Sequence, residues 1–182
     1  PKIALPGALS VEYFHNFSLM HDDIMDEASL RRGKLTVHKK YGVNEAILSG
    51  DVLLIYAYQS LSAYAAELQS NLINLFNTTA IEVCEGQSMD TTFEQRMDVS
   101  ELEYLEMIRL KTAVLLAAAL KMGAIIGGAS EKDANLLYEY GVNCGIGFQI
   151  LDDILDTYCN EAVGKQIGGD IVHNKMTLLF IK

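Results

Sequence analysis

Proline is nearly absent from this sequence, with two residues in 182. There is no long Ser/Gly-rich stretch either, so nothing in the composition supports a linker or a disordered tail. Cysteine is scarce and odd in number. Cys84, Cys144 and Cys159 stand at irregular spacing and no Cys-x-x-Cys occurs, which excludes a disulfide framework. We expect the three thiols to be small core residues in a reducing compartment, the cytoplasm. Positive charge is in deficit: 14 Lys and Arg against 24 Asp and Glu give a net charge of −10. That disfavours nucleic acid and anionic membrane surfaces as partners. An anionic substrate stays open, because a bound divalent cation reverses the local field. No signal peptide is visible. The most apolar run, residues 113–129, is broken by Lys121 and three glycines and is shorter than a membrane span, so it reads as a buried core helix. Strand-like alternation and solenoid-length repeats are missing as well.

Half of the residues are hydrophobic, enough for one domain with a sizeable core. The apolar spacing predicts a helix over residues 3 to about 27, with Leu5, Leu9, Phe14, Phe17 and Met20 at helical intervals. Residues 28–40 read as a polar loop. A long helix follows from 44 to about 69, broken at Gly50, with Asp51 inside its apolar face. The next runs from about 72 to 89, then residues 91–98 form a polar connection. Ser100-x-x-Glu103 is a capping-box pattern that opens a helix reaching Lys111-Thr112 and the apolar run. Ser130-x-x-Asp133 opens another helix, and Asn174-Lys175-Met176-Thr177 opens a last apolar segment. The predicted architecture is an all-α antiparallel bundle.

Two stretches stand out. Asp22-Asp23-Ile24-Met25-Asp26 and Asp152-Asp153-Ile154-Leu155-Asp156 both read Asp-Asp-x-x-Asp, each after an apolar helical run. Residues four apart on an α-helix lie about 40° apart around its axis. Asp22 therefore shares a face with Asp26, and Asp152 with Asp156. Three acids in five residues repel one another, and on a half-buried helix they require cations. Oxygen-only ligands favour a hard ion, Mg²⁺ or Mn²⁺. Two such clusters point to a metal site shared between two helices. Beside the first lies Arg31-Arg32-Gly33-Lys34. Arg forks match phosphate oxygens bidentately, so this loop reads as a phosphate grip, with His38 on its surface.

This ordered set resembles the trans-type polyprenyl diphosphate synthase family, the farnesyl and geranylgeranyl diphosphate synthases. The resemblance runs through Gly50-Asp51, Gly86-Gln87, Lys111-Thr112 and Phe148-Gln149 to Gly164-Lys165, Gly168, Asp170 and Asn174-Lys175-x-Thr177. It implies a large bundle around a central cavity, usually a homodimer, in which the two acidic helices face each other. It implies about three Mg²⁺ ions, held by Asp22, Asp26, Asp152 and Asp156, on the diphosphate of an allylic substrate. Asp22, Asp23, Asp26, Lys111 and Asp152 would be catalytic. Arg31, Arg32, Lys111, Thr112, Gln149, Lys165 and Lys175 would bind substrate, with Arg32 facing isopentenyl diphosphate. The allylic carbon–oxygen bond would ionise, isopentenyl diphosphate would attack the cation, and a proton would leave to pyrophosphate. Water must be kept out. Phe17 and Phe14, five and eight residues before Asp22, would floor the cavity and give a short product, farnesyl more than geranylgeranyl.

Departures from the family pattern carry expectations of their own. Leu35 stands where the family usually has proline, which implies a looser basic loop. The family's Gly-Lys-x-x-Arg segment, which grips isopentenyl diphosphate, and its final helices are not in this sequence. Residues 1–182 are therefore expected to be a single polyprenyl synthase domain without its N- and C-terminal parts. The alternative is a non-catalytic regulatory subunit, although such subunits tend to lose acids from motifs that are intact here. A terpene cyclase fits the second acidic cluster and the Arg pair less well. A di-iron site would need a second partner for Glu12-x-x-His15, and none exists.

Overall fold

The computed structural model describes residues 2–158 and 175–181. The fold is all-α, as the periodicity predicts. The chain divides into two compact units, Pro1–Phe76 with Lys121–Ala134, and Asn77–Leu120 with Asn135–Lys182.

In the first unit a short 3-10 turn leads into α1 (Leu5–Met25), with Pro6 in its first turn, where a missing N–H costs nothing. Phe14 is fully buried. Its ring meets Phe76 edge-on at 5.3 Å, and Tyr58 meets the same ring at 4.8 Å. Leu5 and Leu9, expected on the core face, are exposed. Helix α1 packs along α3 (Val43–Leu61), whose buried face is Ala46, Gly50, Ala57 and Leu61. The expected break at Gly50 does not occur. The ring of His21 fills the space that a Cβ at Gly50 would take, so this glycine serves helix approach and not termination. Asp51 is also not inside an apolar face. Its side chain is 57% exposed and lies 3.7 Å from His21.

The expected polar loop contains structure. Strands β1 (Leu30–Arg31) and β2 (Lys34–Leu35) pair antiparallel, Leu30 opposite Leu35 and Arg31 opposite Lys34. Between them Arg32 and Gly33 have φ of +52° and +73°, the signature of a type I′ hairpin turn. Two-residue strands carry no alternation to read. A five-residue helix, α2 (Val37–Tyr41), follows. Two hydrogen bonds from Thr36 tie the hairpin beside Leu35. Thr36 N donates to Ser29 O at 3.1 Å, and Thr36 Oγ1 to Ala28 O at 2.7 Å. Since Ser29 and Thr36 form a hydrogen-bonded pair, Leu35 sits at a non-bonded position of the ladder, where proline would remove no bond.

Helix α4 (Ala66–Phe93) is longer at both ends than predicted. Its buried positions Leu72, Phe76, Thr79, Val83, Gly86, Asp90 and Phe93 recur every three or four residues. In the second unit α5 (Glu101–Ile108) opens with the predicted capping box: Ser100 Oγ accepts from Glu103 N, and Glu103 accepts from Ser100 N at 2.9 Å. A π-helical segment, Arg109–Ala113, joins α5 to α6 (Val114–Ile126). Helix α7 (Glu131–Tyr158) starts at Ser130, whose Oγ accepts from Asp133 N at 3.1 Å. Phe93, Val99, Tyr104, Met107, Ile108 and Met176 form the second unit's core, joined by Ile146 and Ile150 of α7 and by the short helix Leu178–Ile181. Cys84 and Cys144, expected in the core, are exposed free thiols, while Cys159 lies outside the described residues. Among the described residues no helix is long and apolar enough to cross a membrane.

Candidate active site

The first acidic cluster closes α1. Asp26 caps the helix, its N–H donating to Asp22 O at 2.9 Å, and Ala28 N donates to Asp23 O at 3.0 Å. The backbone of all three acids is thereby fixed. Asp23 is only 5% exposed. Arg31 Nε donates to Asp23 Oδ1 at 2.9 Å and Arg31 Nη2 to Asp22 Oδ2 at 3.4 Å. Burial pushes the Asp23 carboxyl above the usual carboxylate range, and Arg31 opposes that only in part. Asp22 and Asp26 are half-buried. Arg31 thus engages the acids, whereas Arg32 stands exposed at the hairpin tip. His38, expected on the loop surface, is buried, and neither ring nitrogen finds a hydrogen-bond partner among the described residues. Phe17 is half-buried, 5.5 Å from the Phe14 ring and 4.7 Å from that of His21.

The second cluster repeats this division in part. Asp153 is buried, accepting from Tyr104 Oη and, at 3.0 Å, from Gln149 Nε2. Burial raises its carboxyl, and the two hydrogen bonds act against the rise. Thr112 Oγ1 donates to Gln149 Oε1 at 3.0 Å. That link is possible because the π segment that follows α5, residues 109–113, and α7 approach closely: a Cβ on Gly145 would lie 2.5 Å from Ala113 Cα. Asp152 is half-buried and Asp156 buried. In both copies the middle aspartate is turned into the fold; in the second, Asp156 is buried as well.

Lys111 and Thr112 both come from the π segment, a rare local geometry found disproportionately at functional sites. Gly86 of α4 lets it in, since any Cβ there would collide with the Lys111 backbone nitrogen. One turn on, Asp90 Oδ2 accepts from Lys111 Nζ at 2.6 Å and from Lys175 Nζ at 2.9 Å. Lys175 also reaches Glu94 at 2.7 Å. Lys165 lies outside the described residues. The sequence reading passed over Asp90 and Tyr104 as site residues. A signal for Asp90 was present: it falls on the buried stripe of α4, where a carboxylate requires a cationic partner.

The donor set suits Mg²⁺. Among the described residues no three His, Cys, Asp or Glu side chains form a ready-made metal cage. Mg²⁺ commonly takes one or two carboxylates and completes its shell with water and substrate phosphates. Asp22 with Asp26, and Asp152 with Asp156, offer such pairs of oxygen ligands.

A family model described as polyprenyl synthetase matches residues 2–182. The chain is 49% identical to a geranylgeranyl diphosphate synthase of Methanosarcina mazei, over 99% of this chain and 56% of that protein. A crystal structure of a geranylgeranyl pyrophosphate synthase superposes with a TM-score of 0.96 at 54% identity, covering 100% of this chain and 56% of the other. The geranylgeranyl pyrophosphate synthetase structure from Pyrococcus horikoshii gives 0.94 at 41% identity, with the same coverage. The chain therefore spans a little over half the length of the relatives it matches.

Proposed function

The chain belongs to the polyprenyl synthetase family, and from that premise we propose that it acts in a trans-prenyltransferase that condenses isopentenyl diphosphate with an allylic diphosphate. The observation that carries the reading is the π segment. It sends Lys111 to a cationic pair with Lys175, and Thr112 into the network that ends on Asp153 of the second acidic cluster. One stretch of backbone thus joins a cation pair for phosphate oxygens to the helix that carries the second set of carboxylates.

In this reading Lys111 and Lys175, with Arg31 and Lys165, neutralise the diphosphate as the allylic carbon–oxygen bond breaks. Arg32 at the hairpin tip meets isopentenyl diphosphate. Asp22, Asp26, Asp152 and Asp156 would hold Mg²⁺, about three ions, and the metal would supply Lewis-acid stabilisation of the leaving group. Asp23 fixes Arg31, and Asp153 fixes Gln149. The double bond of isopentenyl diphosphate attacks the allylic cation and the proton then lost passes to pyrophosphate, so neither a protein nucleophile nor a protein base is needed. Several similar proteins are named for geranylgeranyl products and others for geranylfarnesyl; we favour geranylgeranyl over farnesyl, with Phe17 as the floor and Phe14 behind it. We treat residues 1–182 as one polyprenyl synthase domain of a cytoplasmic homodimer. Its free surface thiols suit a reducing compartment.

Product analysis tests this. The full protein, given isopentenyl and farnesyl diphosphates with Mg²⁺, is expected to yield geranylgeranyl diphosphate and to lose that activity with a chelator. Diphosphate binding without turnover would overturn the enzyme reading and leave a regulatory homologue.

A further inference from the structure

The geometry points to Asp90 as the positioning residue for the cationic half of this site; the inference rests on the diphosphate reading above. Asp90 is only 6% exposed. One of its oxygens, Oδ2, receives both Lys111 Nζ and Lys175 Nζ, at 2.6 and 2.9 Å. The two lysines come from distant parts of the sequence, one from the π segment and one from just before the helix Leu178–Ile181. Two ammonium groups on a single oxygen repel each other, and the carboxylate between them draws them together. Glu94, one turn further along α4, takes Lys175 at 2.7 Å from its other side.

Lysine is a flexible, four-carbon cation that gives up rotamer entropy when fixed. A clamp that fixes both heads before a ligand arrives removes that cost from binding. Helix α4 holds Lys111 at both ends: Gly86 admits its backbone and Asp90 its ammonium group. Burial by itself would raise the Asp90 carboxyl. The two lysines outweigh it and hold the group below the usual carboxylate range, so the clamp is ionised at neutral pH.

This role predicts a sign opposite to bare electrostatics. If Asp90 were only a nearby negative charge, removing it would tighten the binding of an anion. If it positions the lysines, removing it weakens binding. The probe is inorganic pyrophosphate with Mg²⁺, titrated calorimetrically into the full protein, with circular dichroism to confirm folding. Asp90→Asn is expected to bind pyrophosphate about tenfold more weakly. It should also raise the KM for the allylic substrate more than it lowers kcat, and it should add little in a Lys111→Met background, since the two groups act as one unit. Asp90→Glu should recover part of the loss. Unchanged or tighter binding by folded Asp90→Asn overturns the proposal and leaves the diphosphate reading intact. Absence of pyrophosphate binding by the unmodified protein overturns both. If Asp90→Asn does not fold, Glu94→Gln decides. It frees Lys175 on one side only and is expected to weaken binding about threefold; equal or tighter binding overturns the proposal.

Discussion

Arg32 holds a left-handed backbone that side chains other than glycine and asparagine adopt only at a cost of about 1–2 kcal/mol. The favoured pair for such a turn is Asn-Gly, and Gly33 is already in place. Arg32→Asn is therefore expected to stabilise the protein by up to about 1 kcal/mol in urea denaturation while raising the KM for isopentenyl diphosphate. A strained residue whose relief costs activity marks a position kept for its charge. Asp153 is the converse case. Asp153→Ala leaves the buried Tyr104 hydroxyl and the Gln149 amide without their acceptor, an expected loss of about 1–3 kcal/mol in the same measurement. At this scale the sequence was informative about residue types and silent about direction. The acids, both arginines and the lysines could be picked out from spacing and resemblance. That Asp23 and Asp153 turn inward, and that Asp90 gathers two lysines, depends on contacts between residues up to 85 apart, which no local pattern encodes.

Among the elements, the contact between α4 and the π segment fixes most of the site. Gly86→Ala would place a methyl group against the Lys111 backbone. The expected result is an overpacking cost of about 1–3 kcal/mol, seen as a lower denaturation midpoint, with weaker pyrophosphate binding in the protein that remains folded. The helices themselves were legible because capping boxes and three-to-four spacing are local signals. Their interruptions were not. Gly50 looked like a break because glycine disfavours helix, yet His21 lies where its side chain would be. The hairpin escaped notice because its two-residue strands are set by turn chemistry at Arg32-Gly33 and by two bonds to Thr36, with no periodic pattern to follow.

For the whole molecule, the all-α class followed from composition and spacing, and acid stability follows from the paired carboxylates. Asp90, held low by its lysines, and Glu103, lowered to about 2 by Arg96 and Ser100, stabilise the fold while ionised. Their folded-state pKa values lie below the unfolded ones, so this stability is present above the ordinary values of 3.8 and 4.5 and is lost as pH falls through the folded values. Asp23 and Asp153 are raised and act in the opposite sense, favouring the fold most when protonated. In urea titrations the stability gap between the unmodified protein and Asp90→Asn is thus expected to be wide at pH 7 and to narrow below the Asp90 ordinary value of 3.8. The π segment also sets a rule for chain length. A π turn holds about one residue more than an α turn, so losing any one residue from Arg109–Ala113 would restore a regular helix at the backbone level. The shorter turn would keep the flanking helices nearly in phase, but it would remove the widened backbone that carries Lys111 and Thr112. Elsewhere a helix can shift by a residue and repack, but here the count of residues is itself part of the site.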